Sequence, residues 1–518
     1  MVAIAFGTDE QTGIGLTLDV GHHNVSDLLE SLLPEQRADY GHKYDQRAPE
    51  QVASRNGLIM TWEQPAAATL RHMRYRAELS RQNIHVVSPK GTFNLDGQQV
   101  DLDRLIGGQK LRVVPYFPSH AVDGLVEQCI PQHLPAHLRR FGLPSQIAEL
   151  VKDKQKFHEF MKEFFPTLIP RFDVLSGAEL IDDRIQSPIE IVMLQTSELI
   201  AEAQAFGLNM EGYRNGVVLR KILSDGGFGT LIVRQKLDHT GYEVIGDKTL
   251  EAPTIHELMA QVITPSSQYL MTRLLELDAS PGISCMVRDG ELFVLPLNSQ
   301  IQDESGAAIG TKTLGLFSHD LHDIEFRHQH EELIQAFAIQ IFDRVLDMCP
   351  DRSGVEAMIN LDFMVTSERE QKLYTLVRNS PSLFKHMWHL ISQRYQVAEM
   401  NPRMTNLTSA ANGVLTIMGA EHDIYGYRRL LAAEGDLGLV NYDSKVIAMP
   451  DGMSIDDIYC HFLDRNHKLR AAGYQEAGII LRMMPRMVDD KPAWAKGAGI
   501  TIYGPKACFG EVEMLALG

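Results

Sequence analysis

Apolar and polar positions alternate with two different periods along this chain, and the switches between them mark its elements. In the first 150 residues, Val2–Phe6, Asn83–Val87 and Leu111–Phe117 are short apolar runs of strand length. Asp27–Leu33 and Ala66–Leu79 carry apolar residues at helical spacing instead. A turn-rich K-G-T-F-N-L-D-G-Q-Q run after Val87 predicts a hairpin. Helices are expected over residues 121–165, with Asp153 opening one that lines Phe157, Phe160 and Met161 along one face and stops at Pro166 and Pro170. Beyond it, Ile189–Leu194 reads as a strand and Glu198–Ala205 as a helix closed by Gly207.

Three later stretches are sharper. Gly216–Val233 reads strand, glycine-rich loop, strand. Residues 268–297 give one strand from Gln268 and a pair meeting at the Asp289-Gly290 hairpin signal. Residues 355–403 give an apolar strand, V-E-A-M-I-N-L-D-F-M-V-T, then a polar insert with a helix expected over Pro381–Arg394 on Phe384, Trp388 and Ile391. They close with a strand Tyr395–Met400. Residues 319–332 read as a polar loop leading into a helix Glu331–Asp347. The C-terminal part predicts a helix Ser454–Ala472 with Ser454 as N-cap, then strands Gly478–Met484 and Gly499–Tyr503 around a turn at Asp489–Pro492. Alternation of strands and helices predicts an α/β chain. Its expected units are 1–150, 151–419 (lobes of about 151–265 and 266–419) and 420–518.

Composition narrows the setting. The 518 residues suffice for several domains, and 44% apolar with 22% charged residues is ordinary for a globular protein. A formal net charge of −18 offers no basic surplus to displace counterions, which argues against nucleic acid as a partner. Five scattered cysteines without C-x-x-C spacing suit free thiols in a reducing cytoplasm. No signal peptide and no apolar run of membrane length is expected, so neither is a membrane partner. Gly21-His22-His23 and the four histidines of 319–332 are read as loops rather than metal sites, because zinc ligands converge from fixed offsets.

The chemistry-bearing residues concentrate in two places. Side chains two apart on a strand share a face, so Glu399, Asn401 and Arg403 form a row, with Asp362 as a second acid from the preceding strand. Two carboxylates, an amide and a guanidinium suit magnesium and polyphosphate: magnesium takes one or two carboxylates plus phosphate oxygens, and Arg pairs phosphate bidentately. The loop Ser224-Asp225-Gly226-Gly227-Phe228-Gly229 has glycines enough for backbone N–H groups to close over phosphates, with Arg220 or Lys221 at its mouth. It is not a Walker A loop, since no G-K-[ST] follows, and strand rather than helix comes next. Arg482 and Arg486 are read either as surface charge or as a pair gripping a substrate carboxylate.

The order of these signals, a D-K helix start, a basic-tipped strand into a glycine loop, a strand pair, then L-D-F and E-M-N-P-R, resembles the ATP-grasp superfamily over about residues 150–415. E-M-N-P-R is close to that family's terminal E-x-N-x-R signature. The resemblance implies a fold that sandwiches ATP between two α+β lobes, here with an N-terminal α/β domain and a small C-terminal extension. It implies that Lys154 and Lys221 meet ATP phosphates under a mobile loop 224–229. Strand 270–275, with Thr272, Arg273, Leu274 and Leu275, would hold adenine, and Glu276 the ribose. Asp362, Glu399 and Asn401 would hold magnesium, with two ions expected, and Arg403 would steady the transferred phosphoryl group. The flanking units resemble pheganomycin-type peptide ligases. The expected activity is an ATP-dependent carboxylate–amine ligase working on small acids and amines (amino acids or peptides), possible as a homodimer. An ATP-grasp enzyme with another acceptor, or a non-catalytic nucleotide-binding scaffold, are the alternatives.

Overall fold

The structure is a computed structural model. It describes residues 17–518 except 23–47, 53–55, 63–64, 66, 107–109, 131–137, 224–228, 237–239, 247–248, 303–307, 317–320, 381–383, 385–386, 419–436, 446–452, 485–486, 489–490 and 493–497. The expected elements Val2–Phe6 and Asp27–Leu33, together with His23, lie outside the described residues.

The first unit holds a seven-stranded sheet. Its strands are β1 (Thr17–His22), β2 (Asn56–Met60), β3 (Asn83–Ser88), β4 (Gly91–Asn94), β5 (Gln99–Val100), β6 (Lys110–Pro115) and β7 (Leu138–Arg140), in spatial order β5-β4-β3-β2-β1-β6-β7. The central pairings are parallel and β3-β4-β5 is an antiparallel meander. Parallel strands are covered on both faces, which is why Leu58, Ile59 and Met60 run consecutively buried. The expected helix is present as Ala67–Ser80.

A six-stranded antiparallel sheet forms the small lobe. It comprises β8 (Phe172–Ser176), β9 (Gly216–Lys221), β10 (Thr230–Gln235), β11 (Tyr242–Ile245), β12 (Thr249–Ala252) and β13 (Gln268–Arg273), ordered β12-β11-β10-β9-β13-β8. One face is covered by helices Pro188–Ala205 and Ile255–Val262, which bury Ile189, Met193, Leu258 and Met259 against Val217, Leu219, Tyr269 and Met271. By alternation Val218, Arg220, Leu270 and Thr272 occupy the opposite face.

The third sheet has ten strands: β14 (Leu277–Ala279), β15 (Gly282–Arg288), β16 (Glu291–Val294), β17 (Asn298–Gln302), β18 (Ala308–Thr313), β19 (Ala357–Thr366), β20 (Tyr395–Asn401), β21 (Leu437–Lys445), β22 (Gly478–Met483) and, after a short β23–β24 hairpin (Met487–Val488, Lys491–Pro492), β25 (Ala498–Pro505). Asp289 and Gly290 both have positive φ, as the β15–β16 turn requires. Helix Leu321–Leu346 covers one face, packing Ile334, Ile341, Phe342 and Val345 against Ile283, Cys285, Ile359, Leu361 and Phe363. Each such fully buried side chain contributes about 1.5–3 kcal/mol. The alternate residues of β19, Met358, Asn360 and Asp362, therefore lie on the other face.

Four expectations change. Residues 189–194 are helical, not strand: Pro188 sits in the first turn, and Ile189, Met193, Thr196, Leu199 and Ala203 form one buried stripe at helical spacing. The long helix begins at Leu321, so residues 321–332 lie on it rather than in a loop. Among the described residues of 381–394 the regular element is a short 3-10 turn, Trp388–Leu390, with Trp388 exposed; the insert also holds a helix Glu368–Asn379, capped by Ser367. Strands β21, β25 and β22 extend the large sheet through β18 instead of forming one of their own.

Candidate active site

The acid row is built by the pairing of β19 with β20. Asp362 stands opposite Glu399 and Asn360 opposite Asn401, so all four side chains share the face away from the Leu361–Phe363 core. Like charges facing across strands repel, and the neighbours answer that. Asn401 Nδ2 donates to Asp362 Oδ2 at 2.9 Å and lies 3.4 Å from Glu399 Oε1. Asn360 Nδ2 donates to Asp362 Oδ1 at 2.8 Å and is itself fixed by Ser284 Oγ at 3.0 Å. Lys154 Nζ lies 3.9 Å from Glu399 Oε2, with the lysine 5% exposed and the Glu399 side chain 31%. Asp153 caps the helix Lys154–Phe164 through the Lys156 N–H, which sets Lys154 at its first position.

The ladder slips by one residue beside the acids: Asp362 pairs with Glu399 but Phe363 with Val397, leaving Ala398 as a bulge. The Ala398 carbonyl accepts from Arg220 Nη1 at 2.8 Å. Arg220 Nη2 meets His158 Nε2 at 2.9 Å. One guanidinium thus ties β9 of the small lobe to β20 and to the lysine-bearing helix. Burial lowers the Arg220 pKa, with the Glu399 charge acting against it. Burial, then the Arg220 charge, holds His158 well below the ordinary histidine value, so its ring is neutral and Nε2 accepts.

Of the two cations at the end of β9, Arg220 faces the acids. Lys221 falls by alternation on the Val217–Leu219 side, and its N–H closes the β9–β10 loop on the Gly229 carbonyl at 2.9 Å. Ser224, Asp225, Gly226, Gly227 and Phe228 lie outside the described residues; Gly229 has a φ of +72°. The Arg403 guanidinium lies 4.9 Å from the centroid of the Tyr116 ring, just beyond β6, so the first unit reaches this site.

Segment 272–276 is clamped rather than open. Arg273 pairs with Glu370 at 2.6 Å and also donates to Tyr213, all three buried. The Leu274 N–H donates to the Gly216 carbonyl and the Glu276 N–H to Glu370 Oε1 at 3.0 Å. The Glu276 carboxylate is 3.4 Å from Arg369, while Thr272 and Leu275 are buried. The Arg273 side chain is therefore engaged in a structural ion pair, so the adenine role expected of strand 270–275 would fall to its backbone.

Arg482 is corrected likewise. It is 0% exposed, donating to Glu50 through Nε at 2.7 Å and Nη2 at 2.6 Å and to Asn441 through Nη1. No substrate carboxylate reaches a guanidinium so enclosed. Arg486 lies outside the described residues.

His158, Ala398, Asn360 and Tyr116 escaped the sequence reading. The i, i+4 spacing of Lys154 and His158 on a buried helix face was the one available signal.

The donors fit magnesium. The set is hard oxygen, two carboxylates and the Asn401 amide, which faces both acids through Nδ2 and would present Oδ1 to an ion shared with them by turning over. Among the described residues no cluster of three His, Cys, Asp or Glu side chains offers a metal a fuller cage.

No protein-family model matches the chain, and no curated protein matches it by sequence. Solved structures do. N5-carboxyaminoimidazole synthetase from Staphylococcus aureus, complexed with ADP, is 11% identical with a TM-score of 0.45, over 97% of each chain. N5-carboxyaminoimidazole ribonucleotide synthetase from Thermus thermophilus is 12% identical with a TM-score of 0.43, over 96% of each chain. D-alanyl-alanine synthetase A from Vibrio cholerae is 13% identical with a TM-score of 0.38, over 74% of this chain and 98% of that one.

Proposed function

We propose that the chain is an ATP-dependent carboxylate–amine ligase of the ATP-grasp type, forming an amide or peptide bond through an acyl phosphate. The observation that carries the reading is the cluster of Asp362, Glu399 and Asn401 with buried Lys154 against it and Arg220 beside it. Its units are residues 1–150, 151–419 and, joined to the large sheet of the second, 420–518, and its setting is the cytoplasm.

A carboxylate is a poor acyl donor because oxide is a poor leaving group. In the first step a carboxylate oxygen attacks the γ-phosphorus of ATP in line, and the bond to the β–γ bridging oxygen breaks as ADP departs. Magnesium, held by Asp362, Glu399 and Asn401, would supply charge neutralisation at the phosphates. Lys154 and Arg403 add fixed positive charge along the same row, and Arg220 holds the small lobe in place over it. On the ATP-grasp reading, loop 224–229 would close over the phosphates and exclude water, which otherwise hydrolyses the acyl phosphate. An amine nitrogen then attacks the acyl carbon, phosphate leaves with the electron pair, and the nitrogen gives up a proton, so that the two steps together yield amide, ADP and phosphate. An amino acid or peptide is the favoured acceptor.

An ADP-release screen of amino acids and short peptides in pairs, with Glu399→Gln as control, tests this. ADP release that needs both an acid and an amine supports the ligase; ATP binding without turnover in any mixture favours a scaffold. Turnover of Glu399→Gln at the parent rate removes the metal assignment.

A further inference from the structure

The register of the large sheet extends the acid row beyond β19. Gly282 of β15 stands opposite Asp362, and Asn298 of β17 stands opposite Gly282. Residues directly opposite across strands share a face. The row therefore reads Glu399, Asp362, Gly282, Asn298, then Thr313 of β18. Every position in it carries a polar side chain except Gly282.

That gap is filled from one side. A Cβ built on Gly282 would lie 2.5 Å from Asn298 Oδ1 and 3.2 Å from Nδ2, closer than side chains tolerate. The Asn298 amide is thus laid over Gly282, into the space a side chain at 282 would take, next to Asp362. Neighbouring strands are about 4.8 Å apart, so the glycine brings this amide one strand closer to the acids. Asn298 is half-buried, and among the described residues no hydrogen bond holds its amide. The next group outward is committed: Thr313 Oγ1 donates to the Leu439 carbonyl at 3.2 Å and accepts from its N–H at 3.3 Å.

We propose that Asn298, seated over Gly282, binds the carboxylate of the acid substrate. The proposal rests on the ligase reading and deepens it by placing the acid. The reacting carboxylate must approach the γ-phosphorus from beside the metal acids, where two negative charges repel it. A neutral donor at the edge of the row offers a hydrogen bond without adding charge. Asn Nδ2 is such a donor, and among the described residues no protein group competes for it.

Hydroxylamine trapping tests the placement independently of the amine. Its nitrogen attacks the acyl carbon, the bond to the phosphate oxygen breaks, phosphate leaves with the electron pair and the nitrogen gives up a proton, so the hydroxamate reports the acyl phosphate. The probes are the twenty standard amino acids as acids, with MgATP, and a fluorescent ADP analogue for nucleotide affinity. Asn298→Ala and Gly282→Ala are expected to raise KM for the acid by tenfold or more, with analogue affinity within twofold of the parent. Asn298→Asp, which sets a third carboxylate in the row, is expected to abolish hydroxamate. An unchanged acid KM in Asn298→Ala, or nucleotide affinity falling in step with it, overturns the placement while leaving the ligase reading intact. No hydroxamate from the parent with any of these acids overturns both.

Discussion

Replacing Arg482 by methionine separates a structural role from a substrate role. The guanidinium is fully enclosed and makes two charged hydrogen bonds to Glu50 and one to Asn441. Removing one partner of a buried pair costs about 3–5 kcal/mol, because the other charge stays buried. Glu50 keeps a second partner, Arg76 Nη2 at 3.4 Å, which places the loss at the lower end, about 3 kcal/mol. Methionine preserves most of the volume, so little of the effect is cavity. At about 1.36 kcal/mol per tenfold, the opening equilibrium of the surrounding strands rises roughly 150-fold. The chain has several units and need not unfold in one step, so the measurement is amide hydrogen exchange resolved by segment. Gly478–Met483, Leu437–Lys445 and helix Ala67–Ser80 should all exchange faster, because His72 and Arg76 of that helix bond the Arg482 and Leu481 carbonyls. The small lobe, residues 172–273, should be unchanged. Normal exchange in these segments together with selective loss of acid binding would refute the argument and return Arg482 to the substrate.

Glu399→Gln leaves Lys154 buried without its acid and removes one metal oxygen charge; ADP release should fall at least 100-fold, and chelation with EDTA should stop the parent, both read in a coupled ADP assay. Arg220→Met should raise KM for ATP and lower kcat together, because it unties β9 from both Ala398 and His158, and Arg220→Lys should recover only part, since a single ammonium cannot reproduce the fork. His158 has a folded pKa below its unfolded value near 6.5, so the unfolded chain takes up the proton first as pH falls. Its contribution is complete above about pH 6.5 and is lost below it at up to ~1.36 kcal/mol per pH unit, so urea midpoints of His158→Gln should fall less steeply between pH 7 and 5 than those of the parent. His85, His330 and His461, also lowered by burial, act equally in both proteins.

Period and punctuation carried most of the fold. The strand at Gln268, the Asp289-Gly290 hairpin and the Ser454 cap were legible because each rests on local chemistry. Ile189–Leu194 was not, because a run of β-branched and apolar residues fits a strand or a buried helix equally over six positions. The stripe that settles it reaches to Ala203. The destination of β21, β22 and β25 was equally hidden, since a strand's own sequence does not say which sheet edge it completes.

The site divides along the same line. Glu399 and Asn401 could be paired from sequence because two-residue spacing is a property of one strand, and Asp362 joins them by the next pairing. What sequence spacing could not convey is the slip at Ala398. Were Ala398 paired regularly instead of bulged, the β20 side chains after it would point to the opposite face, sending Glu399 and Asn401 into the Leu361–Phe363 core and turning Met400 out. The bulge therefore does two things with one residue. It turns Glu399 and Asn401 to the face of Asp362, and it exposes the carbonyl that Arg220 grips. Arg220, rather than the adjacent Lys221, faces the acids by alternation in β9, and the bulge in β20 supplies the carbonyl that holds it there. A motif of residue types can name the acids and the amide, but the bond that joins the lobes needs both the alternation of one strand and the break in the ladder of the other.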